Sequence, residues 1–395
     1  MKFRIKILVF YSNIIIQTKS KGLQMGEKLQ RSYIREILDA INEETISFAG
    51  GLPNEKLFPI EKLKDATIKV MENPLCIQYS KSQGIDSLRQ KIADIYTQKF
   101  DFPTSKDEIL ITTGSQQAFD IISKSFLKND IFVQMPSYIG ALSAFKVLGL
   151  NTKGFSGNSS LKRELKKESA VYIMSDFTNP TGQSIDETNR EVLSHILNEK
   201  GSYLIEDGAY SLLDFDGNIK KPICVSVENS FHLGSFSKIV APGFRLGWIR
   251  AKEESIEQIL ASKEAIDLHT STFNQMILNQ YLEDNDLFEH IVDVRIDYKK
   301  KMEFMANCFE EYIPSFKFDR PNGGMFIYGE FEEDSFELAK IALENNIAFV
   351  PAKVFFHNSK NSREARFNFT NSSFEQIEKG IKEISKLLEN QKEVA

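Results

Sequence analysis

A cluster of polar and cationic residues follows the short apolar segment at residues 230–235. Ser235 and Ser237 supply two hydroxyl groups, and Lys238 supplies an amine. Arg245 follows the lysine by seven residues. Hydroxyl and guanidinium groups hold phosphate oxygens, and an amine can capture a carbonyl group as a Schiff base. The cluster therefore predicts a site for a phosphorylated ligand that carries a carbonyl group.

Three further polar residues lie at or just beyond the ends of upstream apolar segments of strand length. Asp207 ends one segment, Tyr210 follows it by three residues, and Asn179 follows another segment. A carboxylate at the end of an apolar strand is costly to desolvate unless it meets a cation, such as a protonated heterocyclic nitrogen. One strand and one crossover separate Asn179 from Asp207, and Asp207 from Lys238. The spacing therefore brings all of them to one edge of a sheet.

Two other positions are compatible with ligand binding and equally with ordinary structure. Gly114, Ser115 and Gln116 begin a helical segment, whose free N–H groups and dipole attract an anion, although simple capping explains the same residues. Tyr138 follows a strand and can either stack on a flat ring or pack in the core. The residues alone leave both pairs of alternatives open.

Elements of alternating type must position these residues. Between about residues 85 and 350, apolar segments of strand length alternate with helix-period segments, which predicts an α/β fold with a mostly parallel sheet covered by helices. Strands are predicted at 108–113, 130–136, 169–175, 202–207, 230–235 and 245–251, and helices at 87–100 and 115–127. Ligands of such sheets bind at the carboxyl ends of the strands.

The pattern changes after about residue 300 to a long helix at 285–313, and then to short strands and a helix. We expect a leader or mis-assigned start at 1–24, an N-terminal arm at 25–60 that completes the small domain, a large domain at 61–300 and a small domain at 301–395. The first residues combine a basic region with an apolar run that lacks a cleavage site and is too short to span a bilayer. We therefore expect a cytoplasmic protein.

Composition and charge narrow the classes of partner. A chain of 395 residues with 42% hydrophobic residues and 26% charged residues is typical of a globular protein, and the net charge of -6 gives no reason to expect nucleic acid or a membrane. The three cysteines and five histidines are scattered without metal-ligand spacing. The sequence predicts small-molecule partners, no metal and a reducing compartment.

The order of the motifs resembles a known family. The resemblance is carried by FAGGLP, QYSKSQG, TTGSQQA, PSY, NPTG, EDGAY, GSFSK, APGFRLGW, PNGGMF and ARFNF, which are similar to motifs of the fold type I, class I and II aminotransferases. FAGGLPNEKLFP and DLHTSTFNQ most resemble the branch of 2-aminoadipate and kynurenine aminotransferases. Covering about residues 30–390, the resemblance implies pyridoxal 5'-phosphate (PLP) as cofactor, a large domain with a seven-stranded sheet, and a smaller α+β domain formed by both chain ends.

The resemblance also implies roles for individual residues. Lys238 would carry PLP as a Schiff base, Asp207 would pair with its pyridine nitrogen, and Tyr138 would stack on its ring. Tyr210, the third residue of the catalytic set, would bind the phenolic oxygen together with Asn179. The phosphate group would be held by Ser115, the Gln116 amide, Ser235, Ser237, Arg245, and Tyr79 from the second subunit of a homodimer.

For the substrate, the resemblance implies that Arg366 binds the α-carboxylate through two parallel hydrogen bonds, beside Asn179, Gly50 and Gly51. The implied reaction moves an amino group from an L-amino acid, such as 2-aminoadipate or an aromatic amino acid, to a 2-oxo acid such as 2-oxoglutarate. The sequence departs from the family pattern at Thr178, Gly208, Ala209 and Ala352, which leaves the substrate undetermined.

Two alternatives stay open. The first is a PLP-dependent lyase on the same scaffold, because a fold does not fix the reaction type. The second is the PLP-binding domain of a transcription regulator, which is the weaker alternative because fewer than 50 residues precede FAGGLP. We expect no DNA-binding domain in so short a segment.

Overall fold

The fold consists of strands and helices in alternation, in a computed structural model that describes residues 37, 39, 41–127, 130–356 and 363–394. The strands are β1 (Ile46–Ser47), β2 (Ile109–Thr112), β3 (Asp130–Gln134), β4 (Asn151–Phe155), β5 (Ala170–Ile173), β6 (Tyr203–Asp207), β7 (Ser230–Ser235), β8 (Gly247–Arg250), β9 (Lys317–Phe318), β10 (Phe326–Glu330), β11 (Ile347–Ala348), β12 (Val350–Pro351) and β13 (Glu364–Asn368). The helices are α1 (Ile60–Met71), α2 (Asp86–Lys99), α3 (Ser115–Phe126), α4 (Ile139–Val147), α5 (Asn158–Glu164), α6 (Glu187–Lys200), α7 (Glu253–Asp267), α8 (Thr272–Asp284), α9 (Leu287–Tyr312), α10 (Ser335–Glu344) and α11 (Phe374–Val394).

A seven-stranded sheet in the order β2-β8-β7-β6-β5-β3-β4 forms the centre of the molecule. The pairs from β7 through β4 are parallel, and β8 is antiparallel to both of its neighbours. The predicted α/β fold with a mostly parallel seven-stranded sheet is therefore confirmed. The carboxyl ends of β6 and β7 lie side by side, because Asp207 is in register with Leu233.

Helices cover both faces of this sheet. On one face, Phe119 of α3 and Phe145 of α4 contact the ring of Tyr172, at centroid distances of 5.5 and 5.6 Å. On the other face, Tyr96 of α2 contacts His232 of β7. Since successive side chains of a strand alternate between faces, β6 and β7 present side chains to both faces of the sheet, and His232 is buried on the second face.

A smaller antiparallel sheet has the order β12-β13-β10-β9. Next to it, β1 pairs with β11 in parallel, so a segment near the start of the chain joins elements near its end. The long helix α9 and the final helix α11 contact each other beside this sheet. Within the described residues, no helix is both long and apolar enough to span a membrane.

Candidate active site

Lys238 lies in a short 3₁₀ turn, Phe236–Lys238, directly after β7. Its Nζ donates a hydrogen bond of 2.7 Å to the carbonyl oxygen of Gly51. Burial lowers the pKa of this lysine to about 8, and the positive charges of Arg245 and Arg366 add to the effect. An amine with such a pKa is partly neutral near pH 8, so it can act as a nucleophile or a base.

Asp207 ends β6 and is only 2% exposed. Its carboxylate accepts hydrogen bonds from the Tyr172 hydroxyl at 3.1 Å and from the Ala209 amide at 3.2 Å. Burial raises the pKa of Asp207 to about 6, although both hydrogen bonds oppose the shift. No salt bridge within the described part of the chain neutralises this carboxylate, so the site fits a ligand that brings its own cation.

Arg366 of β13 is 1% exposed. One guanidinium nitrogen donates to Asn179 Oδ1 at 2.6 Å, and the other terminal nitrogen donates to the carbonyl oxygen of Ala49. The guanidinium carbon lies 4.2 Å from the ring centroid of Phe326 and 5.1 Å from that of Phe355. Burial lowers the pKa of Arg366 to about 10, and its Nε has no hydrogen-bond partner among the described residues. A buried cation with a spare donor is suited to an anion.

Residues predicted to hold phosphate meet at the start of α3. Gly114 precedes this helix with φ 73°, and a Cβ added to it would lie 2.6 Å from a terminal nitrogen of Arg245. A Cβ at Gly247 would lie 2.9 Å from both the Ser115 amide nitrogen and the Gly234 carbonyl oxygen. The start of α3, the end of β7 and Arg245 are thus adjacent, with free helix amides and a cation on one small surface.

Other predicted phosphate ligands occupy the edges of this surface. The Ser235 hydroxyl oxygen accepts a hydrogen bond of 3.1 Å from the Ser237 amide. The Gln116 side chain donates to the carbonyl oxygen of Gly140 at 3.2 Å, which ties α3 to α4. Ser235 is buried and Ser237 is partly exposed, and both lie in or next to the turn that carries Lys238.

Two tyrosines, Tyr138 and Tyr210, lie close enough to Arg366 to interact with its charge. The hydroxyl end of Tyr138 lies over Gly140, where an added Cβ would be 2.4 Å from the tyrosine oxygen. Tyr210 is buried and meets the ring of Phe326 edge to face, with centroids 5.9 Å apart. Burial raises the pKa of Tyr210, and the nearby hydroxyl of Tyr138 adds to the shift. The Tyr210 phenol therefore stays protonated at neutral pH and can donate a hydrogen bond.

The remaining predicted residues divide into two groups. Gly50 is buried, and Gly51 contributes the carbonyl oxygen that accepts from Lys238. A Cβ at Gly51 would lie 3.4 Å from the Phe326 ring, which is an ordinary contact. Tyr79, by contrast, is 79% exposed, and its ring meets His269 edge to face at 5.7 Å. The structure thus leaves Tyr79 on the surface.

Sequence reasoning missed two partners of the site. Tyr172 lies within β5 rather than at its end, and the carbonyl oxygen of Ala49 has no side-chain signature. Tyr172 pairs with Ile205, two residues before Asp207, so both side chains are on one face of the sheet. The register of β5 against β6 identifies this tyrosine, and no local sequence pattern encodes that register.

Comparison with known proteins connects this geometry to a family. The sequence model of the family described as aminotransferase class I and II matches residues 46–384. Aromatic-amino-acid aminotransferase 1 of Thermococcus litoralis is 33% identical over 92% of this chain and 93% of that protein. The 2-aminoadipate transaminase of Thermus thermophilus is 32% identical over 91% and 94%. A solved kynurenine aminotransferase of Pyrococcus horikoshii has a TM-score of 0.86, with 31% identity over 92% of this chain and 96% of that one.

Proposed function

The chain belongs to the class I and II aminotransferases, and on this premise we propose that Lys238, Asp207 and Arg366 form the core of its active site. Its activity is PLP-dependent transamination between amino acids and 2-oxo acids. One observation carries the assignment of residues. A buried carboxylate that forms no salt bridge within the described residues lies at the same sheet edge as a partly buried lysine whose pKa is lowered.

The residues present fit PLP. Asp207 offers a buried negative charge to the protonated pyridine nitrogen, which supplies the missing cation. The start of α3, with Ser115 and the adjacent Arg245, offers N–H donors and positive charge to the phosphate group. Tyr138 offers a ring for stacking, and Tyr210 with Asn179 offers hydrogen bonds to the phenolic oxygen.

The chemistry that PLP supplies when bound is withdrawal of electrons from the α-carbon of an amino acid attached through its nitrogen. Lys238 would hold the cofactor through its Nζ, and the same Nζ, when free and neutral, would take the proton from Cα of the bound amino acid. Asp207 stays ionised beside its cation and keeps the ring nitrogen protonated. Arg366 holds the α-carboxylate, which orients the Cα–H bond toward Lys238.

We propose that the donors are L-amino acids with long or aromatic side chains, and that 2-oxoglutarate is an acceptor. The relatives support this range of donors, since they are named as aminotransferases of aromatic amino acids, 2-aminoadipate and kynurenine. The rings of Phe326 and Phe355 beside Arg366 favour an apolar side chain next to the carboxylate. Aromatic donors are therefore the first choice.

The test is a half-reaction assay with a panel of amino acids, each mixed with PLP-loaded protein. Aromatic donors and 2-aminoadipate are expected to convert bound PLP to its aminated form, and added 2-oxoglutarate is expected to reverse the change. A lyase would instead release ammonia steadily without any 2-oxo acid. Ammonia release without an acceptor, at a rate above that of amino-group transfer, would contradict the proposal. The comparisons do not favour this alternative or that of a regulator.

We also propose a homodimer in which Tyr79 reaches the phosphate site of the partner subunit. The support is an exposed apolar surface at the end of α1 and in the turn after it, called here the 68–79 surface and formed by Ile68, Met71, Leu75, Ile77 and Tyr79. The domain boundaries and the cytoplasmic location remain predictions. The predicted leader at 1–24 lies outside the described residues.

A further inference from the structure

His232 lies on the reverse side of the sheet from the Asp207 side chain. His232 of β7 pairs with Glu206 of β6, and Asp207 is the next residue of β6. Successive side chains alternate between faces, so the His232 ring and the Asp207 side chain are on opposite faces of the sheet. The imidazole is 2% exposed, and burial lowers its pKa to about 4. It is therefore neutral at physiological pH and carries one proton on one of its two nitrogens.

A chain of hydrogen bonds holds the imidazole at its Nδ1 atom. The Trp248 indole donates to the Tyr96 hydroxyl oxygen at 2.9 Å, and that oxygen lies 2.5 Å from His232 Nδ1. An indole N–H can only donate, so the Tyr96 oxygen accepts from Trp248 and shares one further hydrogen bond with Nδ1. The other ring nitrogen, Nε2, has no hydrogen-bond partner among the described residues.

This side of the ring lies against the residue that follows Asp207. A Cβ added to Gly208 would be 2.5 Å from His232 Cε1 and 2.6 Å from Nε2. Gly208 does not have a left-handed φ, so the backbone conformation itself accepts other residues. The imidazole, rather than the turn, is what requires glycine here. It accounts for one departure from the family pattern noted in the sequence.

The ring has little room to move away. Tyr96 holds its far side, and the Phe100 ring lies 5.9 Å from it, centroid to centroid. The cavity beside it has a volume of only about 10 Å³ and is lined by Gly208, Leu212, Ser235, Ile239 and Trp248. A space of this size holds about one water molecule and no side chain. A methyl group at Gly208 must therefore displace the turn that joins Asp207 to Tyr210.

We propose that His232 is a positioning residue for the cofactor site, whose imidazole supports the backbone at Gly208 and so sets the positions of Asp207 and Tyr210. The inference rests on the proposed function, because it takes these two residues as PLP ligands. Arg366 belongs to the other sheet and does not depend on this support. Disturbing the contact changes cofactor binding and kcat more than the KM of the amino donor.

The test is a double-mutant cycle on the whole protein with Gly208→Ala, His232→Ala and the double variant. The dissociation constant of PLP is measured by titrating each apoprotein and following visible absorbance, and kcat and KM are measured separately. Gly208→Ala is expected to weaken PLP binding at least about tenfold, because overpacking displaces the turn. In the double variant the nearest atom to the new methyl carbon is the Leu233 carbonyl oxygen at 3.1 Å, so only a small adjustment is needed.

The double variant is expected to bind PLP within about threefold of His232→Ala alone. Binding by the double variant as weak as that of Gly208→Ala, or weaker, would overturn the inference. If Gly208→Ala does not fold, the double variant still tests the inference. Removal of the imidazole is then expected to restore both folding and PLP binding. His195→Ala, a histidine change at an exposed position of α6, is the matched control and should change nothing.

Failure of the proposed function is distinguishable from failure of this inference. A wild-type protein that binds no PLP and transfers no amino group contradicts the function. The contact between His232 and Gly208 is then tested by the same cycle on the unfolding free energies of the four apoproteins. Additive effects in that cycle would show that the two residues are not coupled, and would overturn the inference on its own terms.

Discussion

Lys238 is partly buried and Arg366 is buried, and their surroundings give the two cationic side chains different uses. Arg366 is held by Asn179 and the Ala49 carbonyl, whereas the described hydrogen bond of Lys238 is to a single carbonyl oxygen. The pKa of Arg366 is lowered to about 10 and that of Lys238 to about 8. At neutral pH the arginine therefore stays charged, while part of the lysine population is neutral. A fixed cation suits carboxylate binding, and a lysine with fewer ties suits a covalent and proton-transfer role.

The first prediction concerns Lys238→Ala. The variant is expected to lose at least about a thousandfold in kcat, because both the nucleophile and the general base are removed. The visible absorbance of covalently bound PLP should also disappear on spectrophotometric titration. Lys167→Ala removes a lysine from an exposed position and serves as the control. A Lys238→Ala protein with normal turnover would contradict the assignment.

The second prediction concerns Asp207 in the apoprotein. Its folded pKa of about 6 lies above the ordinary value of 3.8, so between these pH values the folded state binds more protons than the unfolded state. The contribution of Asp207 to the free energy of unfolding therefore falls as pH rises from about 3.8 to about 6. Asp207→Asn removes the buried charge, so the variant apoprotein should be about 1–3 kcal/mol more stable than wild type at pH 8.

Urea unfolding at pH 8 and pH 4 measures this difference. The gain should shrink toward zero at pH 4, where the wild-type carboxyl is mostly protonated in the folded state. The same substitution should weaken PLP binding, since an amide offers no charge to the pyridine nitrogen. Equal stability of the two apoproteins at pH 8 would show that Asp207 is better solvated than its burial indicates.

Much of the site could be predicted at the level of single residues, because cofactor contacts cluster after strand ends. Asp207 ends one apolar segment, Lys238 follows another, and Arg245 follows the lysine by seven residues. The structure brings the elements that carry them to one edge. Tyr172 could not be found this way, since it reaches Asp207 from within a neighbouring strand. The support of Gly208 by His232 likewise depends on contacts across the sheet that no local pattern encodes.

At the scale of elements, the central strands were predicted best. β7 has the predicted bounds, and the other five predicted strands are shorter by one to three residues. β4 was missed because it is an edge strand with the sequence NTKGF, of which only Phe155 is buried. Edge strands lose the apolar pattern on which sequence prediction depends, while they keep their backbone hydrogen bonds.

The third prediction concerns the contact between β8 and α3. Gly247 lies against the Ser115 amide, so Gly247→Ala should push the start of α3 away from the phosphate site. PLP binding is expected to weaken at least about tenfold, whereas binding of pyridoxal, which lacks the phosphate group, should change little. Titrations of the apoprotein with both compounds measure the difference.

Gly157→Ala is the control for this prediction, because a Cβ there meets nothing within 4 Å and the backbone is extended. It should leave the binding of both compounds unchanged. Equal weakening of PLP and pyridoxal binding by Gly247→Ala would mean that the contact supports the ring site rather than the start of α3.

At the scale of the whole molecule, the 68–79 surface exposes large apolar side chains that no other part of the described chain covers. Ile77 is 77% exposed and Leu75 is 63% exposed, and both lie close to Tyr79 in the chain. Exposed apolar groups of this kind mark interaction surfaces. A symmetric dimer would bury them and would carry Tyr79 toward a second active site, which links assembly to cofactor binding.

The fourth prediction follows from this link. Ile77→Asp places a charge in the proposed interface, so the dimer dissociation constant should rise at least about thirtyfold, as measured by analytical ultracentrifugation. The resulting monomers should bind PLP more weakly, because the Tyr79 hydroxyl of the partner no longer reaches the phosphate. Tyr79→Phe should weaken PLP binding while the protein stays dimeric. Val192→Asp makes the same kind of change at an exposed position of α6 and should leave assembly intact. A monomeric wild-type protein with full activity would contradict the dimer.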